Sequence, residues 1–97
     1  MKTYELEFHE LAFKEWKKLD GSIKSQFQQA LAKRLLAPHV PGAKLRGELK
    51  NTYKIKLRDA GYRLVYEVID LRLVVLVIAI GKRDKNQVYQ SAIKRSS

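Results

Sequence analysis

The sequence predicts an α+β fold in the order β-α-α-β-β-β, closed by a short C-terminal helix, with a helical hairpin packed on one face of a mostly antiparallel four-stranded sheet. Three observations lead there. The apolar pattern has period two at the start, turns helical near Glu10, and returns to extended runs after residue 51. Asp20-Gly21 and Pro38 bracket the second helical stretch. Residues 73–80, LVVLVIAI, are nearly continuous in apolar side chains, as a strand covered on both faces requires.

Each element has its own local cause. In residues 3–8, Tyr4, Leu6 and Phe8 alternate with Thr3, Glu5 and Glu7, which predicts a first strand. Ala12, Trp16 and Leu19 then fall at helical spacing and leave Lys14, Lys17 and Lys18 to solvent. Gly21 is expected to stop this helix in the left-handed conformation, and Ser22 to cap the next one. Ile23, Phe27, Ala30, Leu31 and Leu35 supply the second apolar stripe, and Pro38 ends it. So short a junction predicts an antiparallel helical hairpin. Residues 38–51 form a connection with two prolines and two glycines, longer than most, and long ordered loops are often functional. Strands at 52–58 and 61–68 flank a turn at Asp59-Ala60-Gly61, and a second turn around Asp70 leads into 73–80. Residues 86–95 end the chain as a helix with Val88 and Ala92 on one side. No internal repeat or linker divides the 97 residues, so 1–97 is expected to form a single domain.

Composition narrows the function. There is no cysteine for a disulfide framework or thiolate metal site. No signal peptide is expected, and the longest apolar run is too short to cross a bilayer, which points to a cytoplasmic protein with no membrane partner. The formal net charge is +10 and uneven. Residues 1–40 hold seven basic and five acidic side chains, whereas 41–97 hold thirteen and five. A basic second half favours a polyanionic partner, most often nucleic acid.

The third quarter of the chain sharpens this. In the strand at 52–58, Tyr53, Ile55 and Leu57 point one way while Lys54, Lys56 and Arg58 point the other. In the next strand Tyr62, Leu64 and Tyr66 join the apolar face, leaving Arg63 and Val65 opposite. A tight turn sets Lys56 across from Arg63 and Lys54 across from Val65. Like charges directly opposed destabilise a sheet, so four cations without a facing carboxylate imply an external anion rather than an ordinary solvated face. Past residue 80, Gly81-Lys82-Arg83-Asp84-Lys85 adds three cations that either reach the same face or keep a sheet end soluble. Arg46 in the long connection is a phosphate contact or a loop charge, and Tyr89 taken alone is a packing residue. His9 and His39 stand far apart, Glu5, Glu7, Glu10 and Glu15 do not pair as acid and base, and no motif fits a metal site, a P-loop or a serine nucleophile. The element order also differs from that of an RNA-recognition motif.

In combination, Tyr53-Lys54-Ile55-Lys56-Leu57-Arg58, Gly61-Tyr62-Arg63-Leu64-Val65-Tyr66, Gly81-Lys82-Arg83, Val88-Tyr89, Lys14-Glu15-Trp16 and Lys44-Leu45-Arg46-Gly47 resemble the RelE family of bacterial toxins over about residues 4–95. The resemblance implies a small sheet-and-helix fold related to microbial ribonucleases. It implies a metal-independent endoribonuclease without cofactor, the toxin of a type II toxin–antitoxin system, which enters the ribosomal A site and cuts messenger RNA there. A RelB-type antitoxin would wrap and neutralise it, and operator DNA would be bound only through the toxin–antitoxin complex. The family's catalytic positions match Lys54, Lys56, Arg63, Arg83 and Tyr89, and Arg46 matches a position that helps bind RNA. Arg58 and Lys82 are further RNA-binding candidates. On this basis Lys54 or Tyr89 is expected as the base, Arg63 as the phosphate clamp, Arg83 as charge stabiliser and candidate proton donor, and Lys56 as an added electrostatic contact. Two alternatives stand beside it: a ParE-like gyrase inhibitor of the same fold, which does not share the full basic and tyrosine set, and a plain RNA- or DNA-binding module, which would bind in a salt-sensitive way without scission.

Overall fold

The computed structural model describes residues 3–45, 47, 49–83 and 87–96. The elements follow the expected order: β1 (Glu5–Phe8), α1 (Glu10–Lys17), α2 (Gly21–Leu36), β2 (Thr52–Leu57), β3 (Tyr62–Ile69), β4 (Val74–Lys82) and α3 (Gln87–Arg95). The sheet is ordered β1-β4-β3-β2, with β1 parallel to β4 and the other pairs antiparallel. β4, the nearly continuous apolar run, therefore lies inside the sheet.

Helices α1 and α2 cover one face. Ala12, Ile23, Phe27 and Leu31 pack there against Ile55, Leu64, Tyr66 and Val77, and the two helices meet where Trp16 lies 6.4 Å from the Phe27 ring. Each large apolar side chain removed from water adds roughly 1.5–3 kcal/mol before ordering costs. The opposite face is not the fully solvated basic surface that strand alternation alone describes. Leu49, Val65, Ile78, Ala79, Val88 and Ala92 form a second, smaller core beneath α3. Pairing runs Val65↔Ala79 and then Tyr66↔Val77, so Ile78 is an extra residue in β4. That bulge puts both Ile78 and Ala79 on the α3 face and reverses which backbone groups of β4 face outward beyond it.

The α1–α2 junction corrects the sequence expectation. Gly21 does not end α1, which stops at Lys17 with Lys18 still right-handed. Ser22 is not the cap of α2 either. Asp20 is, its Oδ1 accepting from the Ile23 amide at 3.0 Å. A carboxylate at that place satisfies an orphan amide and complements the positive helix end, so Gly21 becomes the first helical residue. His9 similarly caps α1, with Nδ1 accepting from the Leu11 amide at 3.1 Å.

At the sheet end remote from the β2–β3 turn, His39 bridges the Tyr53 hydroxyl (2.8 Å) and the Asp70 carboxylate (2.9 Å), and Tyr4 also donates to Asp70. These contacts, first the Tyr4 hydroxyl and then His39, hold the Asp70 carboxyl below its ordinary value. The network ties the chain after α2 to β2 and to the β3–β4 turn. No described helix is long and apolar enough to cross a membrane.

Candidate functional site

The β2–β3 hairpin sets the site. Lys54 pairs with Val65 and Lys56 with Arg63, the register that a tight turn requires. Gly61 closes the turn at φ +72°, its amide donating to the Leu57 carbonyl at 2.8 Å. A side chain is strained at that φ, whereas glycine adopts it freely. β4 then brings the third strand end alongside: Arg63 pairs with Gly81, and the Arg83 amide donates to the Gly61 carbonyl at 3.0 Å. The Arg83 Nε lies 3.9 Å from where a Gly61 Cβ would stand, so the guanidinium passes over a turn with no side chain in its way.

Lys56, Arg58, Arg63 and Arg83 thus surround one hollow of about 20 Å³. That volume holds roughly one water, whereas small-molecule pockets run to about 300–1,000 Å³. The arrangement is a face on which a chain can be laid, not a pocket that encloses a ligand. Tyr89 joins it from α3, with the Arg63 guanidinium 5.4 Å from the centre of its ring, within cation–π range. Lys54, half-buried, does not line that hollow and instead borders a larger groove of about 870 Å³ with Pro41, Lys44, Gly47 and Lys50.

This crowding has an electrostatic consequence. The Lys56 ammonium is held below the ordinary lysine value, chiefly by the positive charge of Lys54, then by lost hydration, then by Arg63 and Arg58. The residue expected as an added electrostatic contact is therefore one whose loss of a proton the crowding eases.

Lys56, Arg58, Arg63 and Arg83 converge on the hollow, with Tyr89 against Arg63 and Lys54 near enough for its charge to act on Lys56. Lys82 does not join them. It pairs with Tyr62 and lines a separate cavity with Glu15, Gln87 and Ser91. Arg46, Asp84 and Lys85 lie outside the described residues.

Two residues that the sequence reading passed over hold the frame of the site. Glu15 accepts from Arg95 through both carboxylate oxygens, at 2.8 and 3.0 Å, and from the Ile80 amide at 3.0 Å. Arg95 also donates to the Ile78 carbonyl at 3.0 Å. A signal was present. Glu15 falls three residues after Ala12 on the buried stripe of α1, and Arg95 three after Ala92 on that of α3, and a charge on such a stripe needs a partner.

Fold and site together define a class: a small α+β protein with a cation-rich face, joined by one tyrosine, at the end of a β2–β3–β4 sheet. A family model described as the ParE toxin of type II toxin-antitoxin system, parDE, matches residues 6–87. The mRNA interferase toxin RelE of Escherichia coli strain K12 is 49% identical over 93 residues, covering 96% of this chain and 97% of that protein. Among solved structures, an arginine-to-alanine double mutant of E. coli toxin RelE in the free state is 46% identical with a TM-score of 0.90, spanning 98% of this chain and 99% of its own. A chain of the intact E. coli RelBE toxin-antitoxin complex is 48% identical with a TM-score of 0.81, over 84% of this chain and 99% of that one. The chain belongs to the RelE family of toxins, within the wider group that the ParE model describes.

Proposed function

We propose that this chain, acting as one domain, is a type II toxin of the mRNA interferase kind, which works in the cytoplasm by cutting messenger RNA in the ribosomal A site. The observation that carries this reading is the gathering of Lys56, Arg63 and Arg83 around one shallow hollow, with Tyr89 beneath Arg63. The relative's name, mRNA interferase toxin RelE, and its near full-length match support the same activity.

The chemistry follows from the side chains. The messenger's 2′-oxygen attacks the adjacent phosphorus, its proton passes to a base, and the 5′-oxygen leaves and takes up a proton. The products are a 2′,3′-cyclic phosphate and a 5′-hydroxyl. Arg63 and Arg83 hold the phosphoryl oxygens, since a planar guanidinium offers paired donors to phosphate and stabilises charge that grows in the transition state. Lys56, whose ammonium its cationic neighbours hold below the ordinary lysine value, joins Lys54 and Tyr89 as a group placed to take the proton. Lys54 and Arg58 neutralise flanking phosphates, and Arg83 supplies the departing oxygen with its proton. The described residues around the hollow include no histidine or carboxylate, so free RNA is a poor substrate and the ribosome contributes by orienting the messenger.

The partner is a RelB-type antitoxin, as in the RelBE complex, with operator DNA bound through the pair. Purified protein added to programmed ribosomes, with cut ends mapped by primer extension, tests the reading. Arg83→Ala should reduce cleavage by at least roughly a hundredfold, the scale for loss of one transition-state donor. Ribosome binding should fall much less. Unchanged cleavage would remove Arg83 from the mechanism. A wild-type protein that leaves the messenger whole and inhibits gyrase would favour the ParE-like alternative.

A further inference from the structure

We infer that Glu15 is a positioning residue for this site, acting through Arg95 and α3 on Tyr89, an inference that rests on the function proposed above. β1 ends at Phe8, opposite Val77, and past that point no described strand runs beside β4 on that edge. The bulge at Ile78 turns the Ile78 carbonyl and the Ile80 amide toward this open side. An unpaired backbone group away from water is costly. Glu15 takes the amide and Arg95 takes the carbonyl, and the two side chains bond each other twice. The ion pair therefore continues the ladder that β1 abandons, joining α1, β4 and the last residue of α3.

Helix α3 depends on such fastening. Its nine residues extend about 13–14 Å, and isolated helices below about 12–15 residues are marginal in water. Val88 and Ala92, flanked by Tyr89 and Ile93, seat it on the second core, and Arg95 adds the pair with Glu15. Val88 rests above Gly81, the residue paired with Arg63. Tyr89 follows at once, its ring within reach of the Arg63 guanidinium. Without the Arg95 anchor the C-terminal end of so short a rod rests on Ala92 and Ile93 alone, so α3 shifts on the second core and moves Tyr89 relative to Arg63. Misplacement by about 1 Å is enough to lower a rate roughly a hundredfold.

The experiment is a double-mutant cycle read by single-turnover cleavage on programmed ribosomes, with wild-type, Glu15→Gln, Tyr89→Ala and the double variant. Glu15→Gln should slow cleavage roughly ten- to a hundredfold while ribosome affinity stays within about twofold. In the Tyr89→Ala background the same change should add nothing, because the group it positions is gone. A structural role alone would slow both backgrounds by the same factor, and that result overturns the inference. So does full activity of Glu15→Gln, or of Tyr89→Ala. Arg95→Lys, which keeps the charge and one donor, runs through the same cycle if Glu15→Gln does not fold. A wild-type protein that cuts no messenger would refute the proposed function, whereas additive effects in an active protein refute only the role of Glu15.

Discussion

Arg63 links the two halves of the site, its backbone paired with Lys56 across the hairpin and its guanidinium over the Tyr89 ring. The crowding around it fixes the sign of a pH effect. Because Lys54 is the largest cause of the lowered Lys56 value, Lys54→Ala lets that value rise toward the ordinary lysine one. If Lys56 takes the proton, single-turnover cleavage climbs with pH and levels off below the usual lysine pKa of about 10.4. In Lys54→Ala the climb moves to higher pH, so the rate near neutrality falls more than the loss of one cation contact accounts for. An unshifted profile would assign the proton to another group. The common face of Lys54, Lys56, Arg58 and Arg63 was legible because period two assigns faces without further information. The Glu15–Arg95 pair was not, since strand and helix periods place a charge on a stripe without naming what faces it 80 positions away. Lys82 and Arg83 show the same limit, since the sequence left open whether this basic strand end joins the site and the pleat sends the two side chains to different cavities.

Elements were legible wherever one period persisted, and their joints were not. The interior place of β4 followed from a run with no polar face, while the bulge at Ile78 left no mark in a stretch where every neighbour is apolar. At the α1–α2 junction, Asp20, Gly21 and Ser22 are each able to act at a helix end, and spacing alone favours none of them. The structure gives the role to Asp20. Asp20→Ala should therefore cost about 1 kcal/mol, within the usual 0.5–2 for a lost N-cap, and Ser22→Ala less than about 0.5 kcal/mol. Urea midpoints at constant slope check both. Equal losses, or a larger one at Ser22, would restore the serine cap.

Across the whole molecule, the excess charge lies in the part of the chain that builds the sheet end, and composition alone pointed to a polyanion. Composition said nothing of which polyanion. That came from residue types in combination and from near full-length likeness to an mRNA interferase. Electrostatic binding releases counterions, so affinity for programmed ribosomes should fall linearly in log–log terms with salt, and Arg83→Ala should flatten the slope by about 0.7, the single-strand value for one phosphate. An unchanged slope would place Arg83 away from the backbone of the RNA. The most direct test of the central claim, that this face directs the messenger's own 2′-hydroxyl onto its phosphate, compares two messengers on programmed ribosomes. One is all ribose, and the other carries a single 2′-deoxy sugar at the mapped cut. The ribose messenger should be cut to a 2′,3′-cyclic phosphate and a 5′-hydroxyl while the deoxy messenger stays whole, and cleavage of both at similar rates would contradict the account.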